Sequence, residues 1–122
     1  MSDNLYDLIG GRSTIQAATE AFYRRVFEDE SLRKFFVSSD RAHLFSRQSM
    51  FLSMLLGGQV VYTGKEIGNA HAHARVQGLT DEHFDAFLRH FRAALDEVEV
   101  QPDKAEKVMK LLESKRNTVL NR

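Results

Sequence analysis

The 122 residues suit one domain over 1–122, large enough to bury a core without disulfides or structural zinc. Seventeen basic and seventeen acidic side chains cancel, which removes the electrostatic case for nucleic acid or an anionic membrane as the main partner. Zero cysteines exclude disulfide scaffolds, thiolate metal sites and cysteine nucleophiles. No apolar run approaches the ~20 residues that span a bilayer, and Met1 to Gly11 lacks the pattern of a signal peptide, so a cytoplasmic address is expected.

With one proline, at 102, and no alternating strand pattern, the chain reads as all-α, punctuated by glycines. Asn4 to Ile9 forms a short helix stopped by Gly10-Gly11, and Ser13-Thr14-Ile15-Gln16 reads as a capping box opening the next. That second helix presents Ile15, Ala18, Thr19, Phe22, Tyr23 and Val26 on one face. Thr19 can satisfy its hydroxyl by bonding back to the preceding turn; Tyr23 cannot, and either reaches its OH to the surface or has a functional role.

Asp29 to Phe36 predicts a turn and a short helix ending in Phe35-Phe36, with Ser38-Ser39-Asp40 offering caps for a helix from about Arg41 to Leu56. Leu44, Gln48, Phe51, Leu52 and Leu55 share a face of that helix. An amide inside an apolar stripe costs about 1 to 3 kcal/mol unless bonded, so Gln48 is satisfied either by backbone or by another group inside. Arg47, at the edge of the stripe, is either a solvated arginine or one suited to an anionic group at a pocket mouth.

Gly57 to Gly64 is a loop containing Tyr62, leading to Gly64-Lys65-Glu66-Ile67-Gly68-Asn69-Ala70-His71-Ala72-His73-Ala74. On a helix Ile67, His71 and Ala74 share a face, and His73 points roughly 200° away from His71. Small neighbours leave room for something broad and flat. His71 is therefore either a hydrogen-bonded core residue or a ligand to such a group.

Thr80 caps an amphipathic helix with Asp81 and Glu82 in its first turn and Phe84, Phe87, Leu88, Phe91, Leu95 and Val98 along its apolar stripe. His83 and His90 read as surface or satisfied histidines. Pro102 starts a final helix with Ala105, Val108, Met109 and Leu112 inward, and Lys115 to Arg122 is a polar end expected to fray. No phosphate loop, G-x-S-x-G elbow, H-E-x-x-H or convincing carboxylate pair occurs, so hydrolase and phosphoryl-transfer chemistry lacks residues.

The features Gly10-Gly11, Ala21-Phe22-Tyr23, Phe35-Phe36-Val37, Leu56-Gly57-Gly58, Tyr62-Thr63-Gly64, Ala70-His71 and Gly78-Leu79-Thr80-Asp81-Glu82-His83-Phe84 come in an order that resembles the truncated hemoglobins, most closely group I. The resemblance covers nearly the whole chain. It implies a truncated globin fold, a two-on-two helical sandwich enclosing heme b held noncovalently between the Gln48 and His71 helices. His71 becomes the proximal iron ligand, Phe36 packs on the heme plane, and Tyr23 and Gln48 are the distal pair that stabilises bound dioxygen. Leu44, Arg47, Phe51, Leu52, Tyr62, Ile67 and Phe84 complete the implied heme pocket.

Some departures bear on the chemistry. Leu44 stands where some relatives have a hydrogen-bonding residue, and Arg47 where some have a histidine for the sixth iron site. This argues against permanent bis-histidine ligation, which only the neighbouring His43 keeps open. The end Arg116 to Arg122 resembles cyanobacterial members, some of which attach heme through a histidine just before it; here that position is Lys115, so no such bond is expected.

The function implied is binding of dioxygen, nitric oxide and carbon monoxide, with dioxygen used to oxidise nitric oxide to nitrate. No flavin or nicotinamide motif exists, so the electron donor is a separate reductase. The alternatives are oxygen storage, transport or ligand sensing without turnover, and a heme-free helical interaction protein in which His71 is structural.

Overall fold

A computed structural model describes residues 4–36, 41–57 and 78–120. Every described element is helical: α1 (Leu5–Leu8), α2 (Gly11–Glu28), α3 (Glu30–Arg33), a 3-10 turn (Lys34–Phe36), α4 (Arg41–Leu55), α5 (Asp81–Glu97), α6 (Pro102–Glu113) and α7 (Arg116–Leu120). The expected caps Ser38-Ser39-Asp40, the loop beyond Gly57, and Tyr62, Ile67, His71 and His73 lie outside the described residues, as does the side chain of His43.

Asn4 caps α1 by accepting from the Asp7 N–H at 3.0 Å. The chain then reverses through Gly10 and Gly11, both at positive φ, and α2 starts at once. The expected Ser13 capping box is therefore not used: Ser13 already lies inside α2, whose N-cap is Gly10. A Cβ at Gly10 would fall 2.2 Å from Thr14 Oγ1, so only glycine permits this abrupt hand-over.

Along α2, Ile15, Ala18, Thr19, Ala21, Phe22 and Val26 are buried. The Thr19 hydroxyl, fully enclosed, donates to Ile15 O at 2.7 Å, which is the back-bond its spacing predicts. In α4, Phe51 and Leu52 are buried, and Leu56 just beyond it. The end of α4 is closed by α1: the Tyr6 N–H donates to Leu56 O at 2.8 Å and Asn4 Nδ2 to Gly57 O at 2.7 Å. Two carbonyls that a helix terminus leaves without intrahelical donors are thereby satisfied.

Thr80 begins α5 in a capping box whose fourth member is a histidine: His83 Nδ1 accepts from the Thr80 N–H at 3.1 Å. Phe84, Phe91 and Leu95 are buried as the stripe predicts, with Ala86 and Ala94 beside them. Pro102 opens α6, which buries Ala105, Val108 and Leu112. The polar tail, expected to fray, instead forms α7 with Val119 buried. Its first residue explains why: Arg116 bonds Asp81 at 2.9 Å, Glu113 at 3.0 Å and Asp85, and its guanidinium lies 4.7 Å above the Phe84 ring.

In the assembled core α2 packs on both α4 and α5, α5 also on α6, α1 on α2 and α6, and α7 on α5. Among the described residues no helix is long and apolar enough to cross a membrane.

Candidate functional site

The polar residue on the α2 stripe leads to the site. The Tyr23 ring is walled by aromatics: Phe22 edge-on at 5.1 Å, Phe27 stacked at 5.8 Å and Phe36 edge-on at 6.0 Å. Phe36 in turn meets Phe27 at 5.9 Å and Phe87 of α5 at 6.1 Å. Three elements, α2, the 3-10 turn and α5, thus share one aromatic cluster. Sequence reasoning did not single out Phe27, although its i+4 spacing from Tyr23 was a usable signal.

The Tyr23 hydroxyl points across to α4 and donates to Leu44 O at 3.5 Å, a distance at the limit of hydrogen bonding. Burial holds its ionisation well above the usual tyrosine range, against the weaker opposing effect of the Arg47 charge. The phenol is therefore a neutral donor at any ordinary pH. One helical turn past Leu44 stands Gln48, half-buried, whose side chain makes no hydrogen bond to another described residue.

Leu44 is half-buried, Arg47 is exposed, and Phe51 and Leu52 continue the same helix into the core. The structure so brings together Tyr23, Phe36 and Leu44, with Gln48 four residues on from Leu44 along α4. Phe84 is buried at the start of α5 with Arg116 over its ring, and no described ring contact joins it to the Tyr23 cluster. His71, Ile67 and Tyr62 lie outside the described residues.

The Tyr23 phenol, with one long bond among the described residues, lies within an aromatic wall, and the half-buried Gln48 stands one turn beyond its acceptor on α4. Donors left in excess on an apolar surface fit a flat apolar group that carries a small electronegative ligand. The residues present fit a heme.

Elsewhere α5 makes two polar junctions that sequence reasoning missed. His83 serves the helix cap and sets its ring 5.0 Å from Phe35, edge to face. His90 Nε2 lies 2.7 Å from Asp29 Oδ2. Both histidines are satisfied, as expected of them.

Fold and site together define a globin. The family model for bacterial-like globins matches residues 4–121. A group 1 truncated hemoglobin of Tetrahymena pyriformis is 35% identical over 118 residues, spanning 97% of this chain and 95% of that protein. One from Synechocystis is 35% identical over 100 residues, covering 81% of each. Among solved structures, the 2/2 hemoglobin of Synechococcus with covalently attached heme superposes with a TM-score of 0.90 at 34% identity, over 98% of this chain and 99% of that one. The ferric truncated hemoglobin of Tetrahymena pyriformis gives 0.87 at 34% identity, over 97% and 98%. This chain belongs to the group 1 truncated hemoglobins, the heme globins of two-on-two fold.

Proposed function

We propose that this globin binds dioxygen at a noncovalent heme b and uses it to oxidise nitric oxide to nitrate. The observation that carries this reading is the desolvated Tyr23 hydroxyl, walled by aromatic rings and reaching α4 at Leu44, one turn before the half-buried Gln48. When bound, heme supplies an iron that holds a diatomic ligand and gives up the one electron by which nitric oxide plus dioxygen falls short of nitrate. The chain's own residues do the rest. His71 would hold the heme iron with a neutral imidazole nitrogen. Tyr23 donates its hydroxyl hydrogen, and Gln48 an amide hydrogen, to the partial negative charge on dioxygen, which favours dioxygen over the less polarised carbon monoxide. Phe36 would pack against the heme; Leu44, Phe51, Leu52, Tyr62, Ile67 and Phe84 would exclude water, and Arg47 would take an anionic edge.

Lys115 replaces the histidine through which some relatives fix their heme, and the Synechococcus protein shows that covalent attachment occurs in the family. Lys115 has no imidazole nitrogen to form such a bond, which supports noncovalent retention. The lost electron is returned by a separate reductase, since the chain has no flavin or nicotinamide motif. A cytoplasmic address fits that partner.

Purified protein loaded with heme and dioxygen, mixed with nitric oxide, is expected to give ferric protein and one nitrate per heme. Persistence of the dioxygen complex would refute the dioxygenase reading and leave storage, transport or sensing. His71→Ala is expected to lose the Soret band of the proximally ligated protein; an unchanged band removes His71 as the ligand.

A further inference from the structure

The corner between α2 and α3 is fastened to α5 by a bond that involves neither Tyr23 nor Gln48. Asp29 ends α2, its N–H donating to Val26 O at 3.1 Å, and begins α3. One carboxylate oxygen, Oδ1, accepts from the Ser31 N–H at 2.9 Å and the Ser31 hydroxyl at 2.6 Å. The other, Oδ2, lies 2.7 Å from His90 Nε2. Because an ionised carboxylate only accepts, Nε2 carries the proton. Three residues earlier on α5, Phe87 meets Phe35 at 6.4 Å and Phe36 at 6.1 Å. The corner 29–36 is thus held to α5 by one polar bond and by ring contacts of Phe35 and Phe36, of which the Phe36 contact continues to the Tyr23 ring.

We propose that His90 is a positioning residue for Tyr23: its bond to Asp29 fixes the corner that seats Phe36 against the Tyr23 ring, and so sets the aim of the hydroxyl. This rests on the heme reading above. Among the described residues the hydroxyl has only its long bond to Leu44 O, so its direction is set by ring packing from Phe22, Phe27 and Phe36. Close-packed rings transmit a displacement instead of absorbing it. The neighbouring charges do not duplicate the bond: Arg33 pairs with Glu30, and Arg24 and Arg25 both pair with Glu97. His90 and Asp29 are each about a quarter exposed, at 25% and 24%, so the bond is shielded without being sealed.

The test uses the heme-loaded protein with carbon monoxide as the probe, read by its C–O stretching frequency in the infrared. A donor aimed at the probe lowers that frequency, and Tyr23→Phe gives the value for its loss. In His90→Leu the frequency is expected to move toward the Tyr23→Phe value, with dioxygen dissociating up to about tenfold faster, the worth of one hydrogen bond. In His90→Gln, whose amide nitrogen can return an N–H to Asp29, the wild-type frequency is expected to be restored. Should His90→Leu not fold, His90→Asn, whose shorter amide stops short of Asp29, carries the same expectation. A wild-type frequency in the variant lacking the bond overturns the proposal, as does a Tyr23→Phe protein indistinguishable from wild type. Failure of the heme reading is separate and visible first, as absence of a Soret band in the wild-type protein.

Discussion

Two of the charged fastenings of helix α5, one at its start and one at its middle, are built differently. At its start Arg116 is shared among Asp81, Asp85 and Glu113, each about half exposed, with an aromatic ring beneath the guanidinium. At its middle His90 meets the single carboxylate of Asp29, and both are mostly covered. The first joint uses a cation that never titrates and spreads it over redundant partners, so no one carboxylate is essential. The second uses one carboxylate–imidazole bond, with no other charged partner for either group among the described residues. Redundancy suits the docking of a terminal helix; a single shielded bond suits the placing of an aromatic ring by the site.

The sharpest way to break this contrast is Asp29→Ala, which removes the α3 cap and the His90 bond together. A loss of about 2 kcal/mol is expected in chemical denaturation, roughly half from the cap and half from the pair. Arg116→Ala is expected to cost less, about 1 kcal/mol, because its partners are solvated and the stem packing over Phe84 is the larger part. Hydrogen exchange should then quicken at 116–120 with the carbon monoxide frequency unchanged. If that frequency moves, the division of labour between the joints is wrong.

Acid separates the joints further. The His90 and Ser31 hydrogen bonds hold the Asp29 carboxyl at about 2, below its ordinary 3.8. A depressed carboxyl adds stability above its ordinary value, an addition that falls away as pH drops toward the lowered value and is gone beneath it. The stability difference between wild type and Asp29→Asn should therefore shrink as pH falls from 3.8 toward about 2, followed by urea melts at each pH. A difference that stays constant across this window refutes the assignment. The smallest effect is a control that touches neither joint: Glu99, the one non-glycine residue at positive φ among those described, sits at 64° between α5 and α6. Glu99→Gly should raise stability by a few tenths of a kcal/mol, as relief of the left-handed strain slightly exceeds the entropy that glycine loses.

What was legible in the sequence follows the range of the interactions. The α5 stripe, the Pro102 start of α6 and the Thr19 back-bond depend on residues within a turn or two, and all were readable. The oddness of Tyr23 and Gln48 was readable as well, since each breaks a periodic pattern, though not the Leu44 carbonyl 21 residues away that receives the hydroxyl. Arg116 looked like part of a fraying tail because two of its partners stand 35 and 31 residues upstream. His90 looked merely satisfied; its partner is 61 residues distant. The Ser13 box failed for a local reason, because two glycines turned the chain before the cap could form.

The clasp between α1 and the end of α4 carries a consequence for synthesis. Asn4 and Gly57 are 53 residues apart, yet one bonds the other. During translation the first helix emerges long before its acceptor exists, and at ordinary elongation rates it waits several seconds. Its apolar residues Leu5, Tyr6 and Ile9, which pack on the finished core, are exposed for that interval. The beginning of this chain is thus among the last parts of α4's surroundings to be settled, and slowing the ribosome between α2 and Gly57 should prolong the period in which the nascent protein is most open to aggregation or capture by a chaperone.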